Sequence, residues 1–179
     1  MLDSDFSAFL LVTTFNKKLV IEANNTARER YRGEGHEFLQ ANAQKQGVGT
    51  LESGLQYKVI KEGHARQFDI SDVVLVEYRG TRLDGREFNS SFRNGEPLKV
   101  QVAKVIPGWT EALQLMKEGA EWQLFIPADL AYGERGPLAD QTVLYDIKLL
   151  KSQSRLATPK SEKTIKKALL RGLFPSYSA

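Results

Sequence analysis

A chain of 179 residues, 41% of them hydrophobic and carrying a formal charge of +3, has room for one ordinary globular core with extensions. The charge is unevenly placed: residues 151–179 hold seven Lys or Arg against the lone Glu162, a net of +6, and the rest of the chain is −3. That balance gives the main body no reason to bind nucleic acid, and the absence of cysteine excludes disulfides, a thiol nucleophile and thiolate metal sites.

The one long apolar run, Phe6 to Phe15, is too short to span a bilayer and is flanked by Asp3 and Asp5 rather than by positive charge. The expected location is therefore cytoplasmic, with a periplasmic one as the alternative. From Phe6 to about Lys45 there is no proline and many helix formers, so this stretch is read as helical up to Gly47-Val48-Gly49. Its amphipathicity is imperfect: Tyr31, Phe38 and Leu39 supply an apolar stripe, Arg28, Arg30, Arg32, Glu34 and Glu37 stay in water, and Gly33 and Gly35 weaken the helix.

From Leu51 the hydrophobic period becomes two and turn residues become frequent, which predicts short antiparallel strands. The first is Leu55 to Ile60. In the next, Val74, Val76 and Tyr78 share one face, and Leu83-Asp84-Gly85 turns the chain toward Phe88. Pro107-Gly108 opens a short helix whose Trp109, Leu113 and Met116 form a buried stripe. Strands at Trp122–Ile126 and Thr142–Leu150 follow, the second with Val143, Tyr145, Ile147 and Leu149 on one face; an irregular loop, Pro127 to Gln141, joins them. The expected class is α+β, a curled sheet wrapping one short helix. Thr158-Pro159 then starts a last helix, to about Gly172, with Ile165, Leu169 and Leu173 ringed by lysines. The expected division is an N-terminal helical region over 1–48, a sheet domain over 49–152 and a basic tail over 153–179.

Phosphate-binding loops, nucleophile elbows and a histidine beside a nucleophile are all missing. His36 and His64 lack metal-ligand spacing, so neither a metal nor another cofactor is expected. What remains is an aromatic set, Tyr78, Phe88, Trp109, Tyr132 and Tyr145, which by spacing alone is more often core than a site.

The motifs Leu51-Glu52-Ser53-Gly54-Leu55-Gln56-Tyr57, Asp84-Gly85 with Phe88-Asn89-Ser90-Ser91, Val105-Ile106-Pro107-Gly108-Trp109, and Leu130-Ala131-Tyr132-Gly133 occur in an order that resembles the FKBP-type peptidyl-prolyl cis-trans isomerases. With Gly35-His36-Glu37-Phe38-Leu39 at the end of the helical region, the chain is most similar to the macrophage infectivity potentiator branch of that family, bacterial proteins with an N-terminal helical region. The resemblance implies a bent antiparallel sheet around one helix and an apolar proline pocket. Trp109 would form its floor, and Tyr78, Phe88, Val105, Ile106 and Tyr145 its walls. The Ile106 N–H and the Tyr132 hydroxyl would hold substrate carbonyls, and Leu98 is included among the substrate-binding residues. Two departures are visible: Asn89 stands where the family has an aspartate, and the segment from Pro137 to Gln141 is shorter than the family's loop, with Leu138 the candidate for the missing aliphatic wall.

The implied partners are proline-containing polypeptide clients and macrolides such as rapamycin, and the helical region either serves a homodimer, as the resemblance implies, or packs on its own domain. A polypeptide-binding chaperone with little turnover is the alternative function. The tail is expected to pack on the domain rather than to contact a membrane.

Overall fold

The computed structural model describes residues 3–64 and 67–153, with side chains from Thr14 to Lys151. The basic helix expected over 158–172 lies outside the described residues. Helix α1 (Asp3–Ala43) is followed by β1 (Val48–Thr50), β2 (Gln56–Lys61), β3 (Val73–Arg82), β4 (Glu87–Ser90), the single turn α2 (Ser91–Asn94), β5 (Leu98–Gln101), α3 (Pro107–Leu115), β6 (Glu121–Ile126) and β7 (Val143–Gln153).

Every strand pairing is antiparallel, in the order β1-β2-β6-β7-β3-β4, with β5 also on β3. Strand β3 runs along β7 from Val73 opposite Gln153 to Arg82 opposite Val143, interrupted by one register shift after Leu75. The period-two pattern puts Val74, Val76 and Tyr78 of β3, Leu124 and Ile126 of β6, and Val143, Tyr145, Ile147 and Leu149 of β7 on the buried inner face. Helix α3 packs into that curved face. Pro107 occupies its first turn, where a missing N–H costs nothing, and Trp109, Ala112 and Leu113 are buried. Met116 is buried as well, but it is the residue that ends the helix, in an extended conformation, rather than a member of it.

Two strands were not evident in the sequence. Strands β1 and β5 have three and four residues, too few for a period of two to declare itself. The strand expected at Leu55 begins at Gln56, and Leu55 itself is fully buried in the core.

The larger correction concerns α1. Residues 27–43 bury a face at helical spacing, through Ala27, Arg28, Tyr31, Gly35, Phe38, Leu39 and Asn42. This half lies on the outer face of the sheet. Phe38 packs against Phe125 at 5.9 Å between ring centroids, Asn42 Nδ2 donates to Gln56 Oε1 at 2.9 Å, and Gln56 Nε2 donates to the Leu39 carbonyl at 2.8 Å. Gly35, read from sequence as a weak point, is a contact point: a Cβ there would collide with Thr142 Oγ1. Nor do Arg28 and Arg32 merely face water, since both pair with the buried Asp140. The sheet is therefore flanked by α3 on one side and the second half of α1 on the other. Residues 14–26 of α1 are exposed throughout.

Candidate active site

The aromatic set converges on the inner face at the centre of the sheet. Tyr78 and Tyr145 lie on the paired strands β3 and β7, Tyr145 opposite the residue two positions beyond Tyr78, and Trp109 rises from the first turn of α3. The Trp109 ring meets Tyr78 edge-on at 5.1 Å and Tyr145 at 5.0 Å, with interplanar angles of 79° and 81°. Phe88 of β4 adds edge-on contacts to Tyr145 at 5.6 Å and to Tyr132 at 6.1 Å. Such pairs prefer edge-to-face geometry because the positive ring edge meets the negative face. The result is an apolar box in which Trp109, Tyr78 and Tyr145 are buried, while Phe88 and Tyr132 are half-exposed at the rim.

The close approach of Phe88 and Tyr145 depends on Gly80. It sits on β3 opposite both Tyr145 and Asn89, and a Cβ there would lie 2.7 Å from Tyr145 Cε1 and 2.8 Å from Phe88 Cζ. Tyr78 is fixed by Ser91, whose hydroxyl accepts the Tyr78 N–H at 2.9 Å and lies 3.3 Å from the Tyr78 carbonyl, to which it donates. Ser90 caps α2 by accepting the Arg93 N–H. Neither Gly80 nor Ser91 was singled out as a site residue from sequence, although a glycine inside a strand is a signal of close approach.

Val105 and Ile106 lie between the 3₁₀ turn Val102–Lys104 and α3, half-buried against the core that contains the aromatic box. The Ile106 carbonyl accepts from the N–H groups of Trp109 and Thr110, while its own N–H makes no hydrogen bond among the described residues. Leu98 of β5 stands opposite Val76, two residues from Tyr78, and packs on the same core. Leu138 is not brought to the box. It is buried, but in the loop outside the cluster that contains the aromatic rings.

The hydroxyls of Tyr132 and Tyr145 share a hydrogen bond at 2.8 Å. Burial pushes the Tyr145 hydroxyl well above its ordinary pKa, helped by the hydrogen bond and the proximity of Tyr132. Burial likewise raises Tyr78, as does Tyr132, and a hydrogen bond from the exposed Asn89 side chain opposes the shift. Both tyrosines are therefore neutral hydrogen-bonding groups at physiological pH. The indole N–H of Trp109 has no acceptor among the described residues, which leaves that ring held by its faces and edges. The box offers shape, an apolar surface and a few fixed polar groups, without an acid, a base or a nucleophile.

A family model described as FKBP-type peptidyl-prolyl cis-trans isomerase matches residues 64–150, and one described as the domain amino terminal to such isomerases matches residues 3–59. The outer membrane protein MIP of Legionella longbeachae is 44% identical over 147 residues, which cover 78% of this chain and 63% of that protein. The FKBP-type 22 kDa peptidyl-prolyl cis-trans isomerase of Escherichia coli K12 is 44% identical over 135 residues, 72% of this chain and 66% of the relative. The crystal structure of FkpA from Escherichia coli superposes with a TM-score of 0.78 at 34% identity, covering 86% of this chain and 74% of that one. The chain thus spans between half and two thirds of the curated relatives first matched.

Proposed function

The chain belongs to the FKBP-type peptidyl-prolyl cis-trans isomerase family, and from that premise we propose that it catalyses cis-trans isomerisation of Xaa-Pro bonds in polypeptide clients. The observation that carries the reading is the aromatic box of Tyr78, Phe88, Trp109, Tyr132 and Tyr145 on the inner face of the sheet.

The uncatalysed barrier of about 18–20 kcal/mol is amide resonance lost as the C–N bond twists. The twisted amide is less charge-separated than the planar one, so moving the imide from water to an apolar box destabilises the planar ground state more than the transition state. The proline ring would lie on Trp109 between Tyr78 and Tyr145. The Ile106 N–H and the Tyr132 hydroxyl would hold the flanking carbonyls, fixing the chain in a geometry compatible with rotation. Asn89 beside Tyr78 brings a neutral amide to that hydrogen bond, so the site carries no fixed charge at this wall. Proline-limited refolding of a client tests the reading. The slow phase should accelerate in proportion to added protein; if aggregation falls while the slow phase keeps its rate, the polypeptide-binding chaperone replaces the enzyme. A cytoplasmic location belongs to the same proposal, and cell fractionation checks it.

We also propose that the first half of α1 packs against a second copy. Phe15, Leu19, Val20 and Ile21 are exposed, Phe15 by 63% and Val20 by 59%, on a helix segment that is exposed from residue 14 to residue 26. Equilibrium sedimentation of the intact chain should give a dimer, and Leu19→Glu with Val20→Glu should give a monomer. A monomeric wild type at tens of micromolar rules the arrangement out.

A further inference from the structure

Resting on the isomerase reading, we propose that Asp140, gripped by Arg28 and Arg32 of α1, is a positioning residue for Tyr132, so that the N-terminal helix supports one rim of the active site.

The loop after Tyr132 returns on itself. Gly133 N–H donates to the Ala128 carbonyl at 2.8 Å, and Asp140 N–H donates to the Gly133 carbonyl at 2.7 Å, so Asp140 is bonded to the residue that follows Tyr132. Asp140 has φ +59°, the one positive value outside glycine among the described residues. Outside glycine that left-handed conformation is adopted mainly by Asp and Asn, whose short polar side chains lower its cost. Its side chain is 1% exposed. A buried carboxylate is unfavourable unless charge and hydrogen bonds compensate it, and here the compensation is supplied from more than 100 residues away. Arg28 Nε and Arg32 Nε each donate to one carboxylate oxygen, the Arg32 bond at 2.6 Å. Glu134, in the same loop, takes Arg32 Nη2 at 2.8 Å and lies 3.5 Å from Arg28 Nη2. Burial alone would raise the Asp140 carboxyl, and the two guanidinium groups outweigh it and hold it below its ordinary range.

Two forks from one helix therefore close both ends of the Gly133–Asp140 loop. At its start stands Tyr132, whose hydroxyl and ring contact Tyr145 and Phe88. Without the forks the loop would contain an unpaired buried charge, and it would relieve it by opening. Opening carries Gly133 away and releases Tyr132 from the rim.

The test uses the full chain with Arg28→Gln and Arg32→Gln together. These residues lie on the outer side of the loop, away from the aromatic box, and the core beneath β3 and β7 does not contain them. A purely structural role would cost activity regardless of Tyr132; a positioning role would act through it. The double substitution should lower kcat/KM on a Xaa-Pro peptide about tenfold in the wild-type background and by less than about twofold in a Tyr132→Phe background. Adding Asp140→Asn to the double variant removes the unpaired charge while keeping a side chain that tolerates the left-handed region, and should restore activity to within about threefold of wild type. Amide exchange provides a readout independent of turnover: the peptide 127–142 should exchange faster in the double variant while β3 and β7 keep wild-type protection. An unchanged kcat/KM, an equal loss in both backgrounds, or wild-type exchange in 127–142 overturns the proposal. If the wild-type chain has no isomerase activity, the proposed function fails, and the exchange result still decides whether α1 holds this loop.

Discussion

Trp109→Leu is expected to leave a folded protein whose kcat/KM on a Xaa-Pro peptide falls by about two orders of magnitude, or roughly 2.7 kcal/mol of transition-state stabilisation. The indole sits where three elements meet: the first turn of α3 below, Tyr78 on β3 and Tyr145 on β7 to either side, both edge-on at about 5 Å. Removing the ring altogether, as in Trp109→Ala, would leave a large cavity at a position that is 4% exposed, and buried aromatic-to-alanine changes cost about 3–5 kcal/mol of stability. A loss of activity in that variant would therefore be ambiguous. Leucine keeps an apolar side chain and part of the volume, so the fold survives while the flat surface on which a proline ring would stack is gone. Circular dichroism reports on folding, and activity and rapamycin binding are measured on the same sample. If folded Trp109→Leu turns over substrate and binds the macrolide as wild type does, the aromatic box is not the site.

The inner face of the sheet was legible because burial repeats every second residue along strands long enough to display it. Strand β3 shows Val74, Val76 and Tyr78, and β7 shows Val143, Tyr145, Ile147 and Leu149, all buried as their spacing implies. The edge strands β1 and β5 were illegible for the converse reason, since three or four residues leave room for barely one repeat. The aromatic residues were legible as a set, but not as a site, because a core and a pocket are built from the same side chains. Their convergence depends on β3-β7 register and on α3 packing, neither of which is local. The same holds more strongly for α1. Local propensity counts Gly35 against a helix and an arginine as solvated. The fold instead needs no Cβ where the helix crosses Thr142, and it needs Arg28 and Arg32 opposite an aspartate over 100 positions away. A single sequence carries no signal linking such positions. Leu138 differs in the opposite direction: an apolar residue in a loop near a pocket is a reasonable wall, yet it is buried outside the cluster that contains the aromatic rings.

Gly80→Ala is expected to cost about 1–3 kcal/mol of stability, the range for overpacking a filled core, and to lower activity more than that loss accounts for. An alanine on a strand is normally harmless or favourable, because glycine loses more backbone freedom on folding. Here the added methyl would lie 2.7 Å from Tyr145 Cε1 and 2.8 Å from Phe88 Cζ. Those atoms belong to rigid rings that pack edge to face on each other, so relief requires rotating or displacing a whole ring. Tyr145 is constrained by Trp109 behind it and by the hydroxyl bond to Tyr132, so it can yield only toward Phe88, which is half-exposed at the rim and must move out of its way. Displacing Phe88 also breaks its edge contact with Tyr132. One methyl group at a position that contributes no side chain to the pocket would thus shift two of its walls, and kcat/KM should fall by about tenfold or more under conditions where the variant is fully folded. Thermal unfolding gives the stability change, and a Gly80→Ala/Phe88→Leu double variant separates the causes. Leucine vacates the space that the methyl needs, so in the Phe88→Leu background Gly80→Ala should destabilise by less than about 0.5 kcal/mol. If Gly80→Ala is as stable and as active as wild type, the packing of Phe88 against Tyr145 across Gly80 is not what shapes this pocket.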